Sequence, residues 1–274
     1  MLKNPSWGMM IVFYFFLGGI AGGAYFTAAI ADNFGGTRDR RVVRLGYLLA
    51  VPLTLLCGVL LVADLGVPAR FLNMLRVFKF WDPMSIGAWG LGLFGLFAFL
   101  SSVLTFSASE RVAALRRKIS LLGTIFGFFL AGYTGVLLSN TALPFWSEAR
   151  LLGALFVASG ASTGMAAISI LLFLGGTSTA DGLGKLKRAD RYSLVIELAV
   201  LAVFLWWLGS AAAPITSGKF ATLFWGGLVG AGLVLPLLLD LAGSRMKALG
   251  VVSALLVLAG GFVLRYVILM SIPA

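Results

Sequence analysis

Long apolar stretches alternate along this chain with short polar segments that carry most of the charge. Uncharged residues run unbroken from Asn4 to Ala31, Leu45 to Ala63, Pro83 to Ser109 and Leu151 to Ala180. A helix rises ~1.5 Å per residue, so about 20 residues cross the roughly 30 Å hydrocarbon core of a bilayer. Each run is long enough to do so. The pattern predicts eight spanning helices, at 9–31, 43–63, 85–108, 119–140, 151–174, 191–213, 219–240 and 247–270, in a single integral membrane domain over 1–274. Pro68, Pro83, Pro144 and Pro214 lie at or between these spans, where helix breakers belong. The fold class expected is all-α and polytopic.

Composition leads to the same class. Of 274 residues, 60% are hydrophobic and 11% charged, too few charges to cover the outside of a soluble fold this size. A 29.0 kDa chain spent on eight helices leaves little for an extramembrane domain. The first apolar run, with only Lys3 before it and Asp32 after it, reads as a retained span that directs insertion and not as a cleaved leader.

The net charge of +11 sits in short blocks between spans, which points to anionic membrane lipids as partners and away from nucleic acid. Arg38, Arg40, Arg41 and Arg44; Arg111, Arg116, Arg117 and Lys118; Lys185, Lys187, Arg188 and Arg191; and Arg245 with Lys247 all fall on one side by alternation. The other side holds only Lys3, Arg70, Arg76, Lys79, Arg150 and Lys219. By the positive-inside rule both termini are expected outside the cytoplasm, in a multi-pass protein of the cell membrane. The outer segment from Asp64 to Met84 mixes Phe71, Leu72, Phe78, Phe80 and Trp81 with Arg70, Arg76 and Lys79. It suits either an interfacial helix or a docking surface for a partner subunit.

Histidine is absent, which excludes bis-histidine haem and histidine metal centres. The single cysteine, Cys57, lies in an apolar run and reads as a core thiol. No haem, iron–sulfur cluster or metal site is expected in this chain, so redox chemistry would have to come from an organic cofactor or a partner.

The polar residues inside the spans are the candidates for chemistry, because a bilayer penalises them. Glu197 in the sixth span reads as a proton-path residue, as the structural partner of Arg191 or Arg188, or as both. Arg265 in the eighth either snorkels to the headgroups or turns inward, where its fork of donors holds a carboxylate, a quinone carbonyl or backbone oxygens. Tyr133 and Asn140, seven residues apart in the fourth span, share a face. They could hydrogen-bond a carbonyl-bearing headgroup at the membrane edge, or simply bond neighbouring helices. In the first span Gly18 and Gly22, with Gly19 and Gly23, form small-residue faces that let a helix or a flat ligand approach closely. Trp7, Tyr14 and Tyr25 supply aromatic surface there, for belt, packing or ring stacking.

Taken in order, several segments resemble the membrane subunits of the polysulfide reductase and NrfD-like family. They are Tyr14 to Gly23, Asp82 to Trp89, Gly132 to Leu138, and Pro144-Phe145-Trp146. Ser159, Ser162, Gly164 and Ala166 follow, then Gly232 to Pro236, and Gly260-Gly261 with Leu264-Arg265-Tyr266. The resemblance covers nearly all eight spans. It implies two four-helix bundles without haem, an iron–sulfur electron-transfer subunit docked on one face beside a catalytic subunit, and menaquinone or ubiquinone bound near that face. The implied quinone pocket is lined from the first and fourth spans, here around Tyr14, Gly18, Gly22, Tyr133 and Asn140. Glu197, Ser101, Ser102 and the arginines, Arg265 included, would relay protons or balance charge. Some relatives carry a histidine at the start of the first span, where this chain has Gly8, Met9 and Met10. A transporter or channel, or a structural anchor without quinone chemistry, is the competing reading.

Overall fold

The computed structural model describes residues 8–65, 67–68, 71–76, 78–79, 81–107, 109–141, 144–175, 180–241 and 247–271. Lys3, Trp7, Arg70, Phe80 and Arg245 lie outside the described residues. Among the described residues, eight helices are long and apolar enough to cross a membrane, and no strand occurs. The chain is an all-α, multi-pass membrane protein.

In order, the helices are α1 (Met9–Phe34), α2 (Arg40–Asp64), α3 (Phe71–Arg76), α4 (Pro83–Leu104), α5 (Glu110–Ser139) and α6 (Pro144–Glu148). Then come α7 (Leu152–Leu174), α8 (Ala180–Leu208), α9 (Ala213–Thr216), a π-helical segment over Leu223–Val234 that continues as α10 (Leu235–Leu241), and α11 (Lys247–Met270). Local signals explain some ends. Asp82 accepts a hydrogen bond from the Met84 amide (3.1 Å) while Pro83 takes the first helical position, so α4 starts where the cap places it. The short α3 leaves Phe71, Leu72, Phe78 and Trp81 exposed around it.

Two helices extend well beyond their apolar parts. α5 starts at Glu110 and α8 at Ala180, whereas apolarity marks 119 and 191. Hydropathy locates the bilayer, but helical hydrogen bonding continues past it at no desolvation cost. The blocks Arg111–Lys118 and Lys185–Arg191 are therefore helical, and their side chains are held at fixed angles around α5 and α8.

α1, α2, α4 and α5 pack together, and α7, α8, the π-helical segment with α10, and α11 form a second group. The groups meet where α1 and α5 lie against α7. Small residues make that seam close. A Cβ on Gly23 would collide with the Gly160 carbonyl oxygen and sit 3.2 Å from the Gly164 Cα, so α1 and α7 touch backbone to backbone. Leu55, Leu56, Val59, Phe99, Ile125 and Trp206 point outward, as lipid-facing side chains should.

Candidate functional site

The most costly residue to bury sits at this seam. Arg265 is fully buried, on the face of α11 that meets α1 and α7. Its Nη1 donates to Ser159 Oγ (2.7 Å) and to the Gly261 carbonyl (2.8 Å), and its Nη2 donates to the Phe156 carbonyl (3.4 Å). The guanidinium also lies over the Phe156 ring, 5.2 Å from its centroid. The inward reading of Arg265 is the one observed. Gly19 makes room for it, since a Cβ there would stand 2.6 Å from Nη2.

Glu197 comes from α8 into the same cluster and is also buried. The Ser162 hydroxyl donates to its Oε2 (2.5 Å), and the Ser159 hydroxyl interacts with the same carboxylate. Ser159 and Ser162, three residues apart, point from one face of α7 and stand between acid and base. Thr163 completes the polar face by donating to the Ser159 carbonyl (2.6 Å). Arg191, considered above as a partner for Glu197, is instead paired with Asp240, Nε to Oδ2 at 2.7 Å. The result is a carboxylate and a guanidinium linked through hydroxyls and shut off from lipid by four helices. A hydroxyl both donates and accepts, so this series of groups can hold a proton on Glu197 or pass one along by rotation of the serines.

The residues near the ends of α1, α4 and α5 away from the basic loops are placed differently. The Tyr133 hydroxyl donates to the Pro83 carbonyl at the start of α4. Its ring stacks on Phe129, 5.0 Å between centroids, and fills the space over Gly87. Asn140 is exposed at the end of α5, where its amide donates to the Val136 carbonyl (2.8 Å). The structure does not bring these two together, although helical spacing puts them on one face. Tyr14 is buried beside Phe15, and its carbonyl accepts from Cys57 Sγ (3.7 Å). Gly18 faces Cys57 and Leu130, while Gly22 lies against the Gly127 backbone, so Gly22 serves the contact of α1 with α5.

A third cluster occupies the basic end of the first group. Arg116 grips Asp32 through two bonds (Nε to Oδ2 2.7 Å, Nη2 to Oδ1 2.6 Å), and Tyr47 donates to the same carboxylate at 3.3 Å. Nearby, Tyr25 and Ser101 share a hydrogen bond of 2.8 Å, and the Asn33 amide donates to Ser120 Oγ (3.1 Å). Ser101 thus belongs to the first group and is not joined to Glu197. The partnership of Asp32 with Arg116 was not apparent from the sequence, where Arg116 reads as one of a block of loop cations.

Comparison with known proteins bears on what this framework does. The family described as "Polysulphide reductase, NrfD" matches residues 1–272. The C subunit of the polysulfide reductase of Wolinella succinogenes is 30% identical across 96% of the present sequence and 93% of its own length. "Protein NrfD homolog" of Haemophilus influenzae is 25% identical across 97% of the present sequence and 94% of its own.

Proposed function

The chain belongs to the polysulphide reductase NrfD family, and on that premise we propose that it is the quinone-interacting membrane subunit of a multisubunit oxidoreductase. It exchanges electrons with an iron–sulfur partner that docks, with a catalytic subunit, on the face opposite the basic loops. The observation that carries this reading is the family match across all eight spans, which includes the residues that build the buried network. Placement of both termini on that same face, outside the cytoplasm, follows from the charge asymmetry.

The residues present suit a quinone headgroup in kind. Such a ring needs a flat apolar surface and donors for its carbonyl oxygens. Tyr133 already directs its hydroxyl to a carbonyl, that of Pro83, and Phe129 stacks beside it. Trp89, near the start of α4, adds a buried indole N–H without a hydrogen-bond partner among the described residues. Menaquinone or ubiquinone would supply the two-electron redox chemistry when bound. The work of the chain is then to hold the headgroup near Tyr133 and Tyr14, to exclude water with the closely packed α1, and to move protons. Arg265 lies beside Gly19 on α1, between that edge and Glu197, so the serine-bridged pair is the route by which the redox step is matched by proton movement through the second group of helices.

The test is electron transfer in the intact complex. Quinol added to the oxidised complex should reduce the partner's clusters, followed by their paramagnetic resonance. Tyr133→Phe should slow that reaction roughly five- to tenfold, the worth of one hydrogen bond of about 1 kcal/mol. Clusters that stay oxidised in the presence of either quinol would leave the chain as an anchor only.

A further inference from the structure

Below Glu197, toward the basic end of the molecule, a small cavity opens between α7, α8, α10 and α11. We propose that it is a water-filled inlet through which Asp190 exchanges protons with bulk water and, by way of Ser193, with Glu197. This rests on the proton-moving role given to Glu197 above and supplies its missing connection to one side of the membrane.

The cavity has a volume of about 30 Å³, room for about two waters at roughly 10–15 Å³ each. Polar groups from every surrounding helix face it: Ser169 of α7, Lys187, Asp190 and Arg191 of α8, Asp240 of α10 and Ser253 of α11. Three of these are already engaged. Arg191 pairs with Asp240, and Lys187 lies over the Phe173 ring. Asp190 Oδ1 is different, being out of solvent contact and without a hydrogen-bond partner among the described residues. A buried carboxylate oxygen is stable there only with a proton on it or water beside it. The space for that water is present.

Position along α8 supplies the onward step. Asp190, Ser193 and Glu197 are spaced three and then four residues apart, and so form one stripe of the helix. Asp190 and Glu197 are separated by about 10 Å along the axis, too far for direct transfer. Ser193 is buried between them and directs its hydroxyl to the Ala158 carbonyl on α7 (3.5 Å), a weak bond from which it can turn. Hydronium in the cavity gives its proton to Asp190 and leaves water. The Asp190 carboxyl then passes the proton through the Ser193 hydroxyl, which releases its own proton to the Glu197 carboxylate. The reverse sequence discharges Glu197. No electron moves in either direction.

The experiment follows hydrogen–deuterium exchange of the Glu197 carboxyl by difference infrared spectroscopy, using the full chain in lipid nanodiscs and Glu197→Gln to assign the band. Asp190→Asn and Ser193→Ala should each slow exchange on the order of a hundredfold. Ser253→Val keeps every acid but fills the cavity, and should slow it similarly, while Asp190→Glu retains rapid exchange. Wild-type rates in Asp190→Asn and Ser253→Val would overturn the inlet, and so would a Glu197 carboxyl that shows no titrating band at any pH. The measurement needs neither quinone nor partner. A chain that exchanges as stated but supports no quinone-linked electron transfer would therefore refute the functional reading and leave the inlet standing.

Discussion

Neutralising Arg265 alone should cost more stability than neutralising Glu197 alone, and neutralising both should cost less than the sum of the two. Arg265→Met keeps much of the volume but deletes the bonds to Ser159, Gly261 and Phe156, and it leaves Glu197 without a positive neighbour in a site shut off from water. Leaving a buried charge without its compensating neighbour costs about 3–5 kcal/mol. Glu197→Gln is milder, at about 1–3 kcal/mol, because the amide oxygen still accepts from Ser162 and the guanidinium keeps its three oxygen partners. In the double variant no charge remains to be compensated, so the two losses should fall short of their sum by ~1–3 kcal/mol. Reversible unfolding of the four proteins in mixed micelles, followed by helical circular dichroism, gives the coupling directly. Additive losses would show that acid and base do not sense each other through the serines, and the pair would drop out of the proposed route.

Three further outcomes follow from the same contacts. Gly23→Ala places a methyl group against the Gly160 carbonyl and should destabilise the fold by at least about 1–3 kcal/mol, seen as a lower unfolding midpoint in detergent; an unchanged midpoint would mean that α1 and α7 are not in backbone contact. Asp32→Asn leaves Arg116 facing a neutral amide and should cost about 3 kcal/mol by the same measurement, with little effect if the pair is exposed to water. Orientation can be read in sealed cells after Cys57→Ala, because single cysteines at Ser107 and Ser217 lie at opposite ends of the helices. An impermeant thiol reagent added outside should label Ser217→Cys and spare Ser107→Cys, and the opposite result would invert the topology.

How far the sequence discloses this arrangement depends on the range of the interaction involved. The spans are legible because bilayer thickness is a one-dimensional constraint that any uncharged run of sufficient length must satisfy. Pro83 behind Asp82 is legible for a similar reason, since a cap acts within one turn. Asp190 is hidden because it sits one residue before the apolar part of its helix and so resembles a loop residue. Its seven-residue spacing from Glu197 is the signal that would have placed both on one stripe. The union of Arg265 with Glu197 is hidden more deeply. It is mediated by Ser159 and Ser162, common small residues whose three-residue spacing shows a shared face but not what the face meets. Tyr133 and Asn140 show the converse. Their shared face is real, yet Asn140 lies where α5 ends, and there the nearest carbonyl of its own helix wins its amide.

The seam between the two helix groups also separates the redox reading from transport. A transporter that alternates access must rock one bundle against the other around a substrate-sized site. Here the surfaces that would have to slide are backbone on backbone. Gly23 meets Gly160 and Gly164 between α1 and α7, and Gly160 in turn lies against the Gly19 carbonyl. Contacts this close have no side chains to re-rotamer, so any slide drives carbonyls into neighbouring Cα atoms. Arg265 adds a pin across the same seam, with its guanidinium beside α1 and its bonds on α7 and α11. Such an interior resists movements of several ångströms, but it permits rotation of hydroxyls and changes in the protonation of Glu197 and Asp190. The proton route proposed above needs only such rotations, whereas a larger solute would need the slide that these contacts oppose.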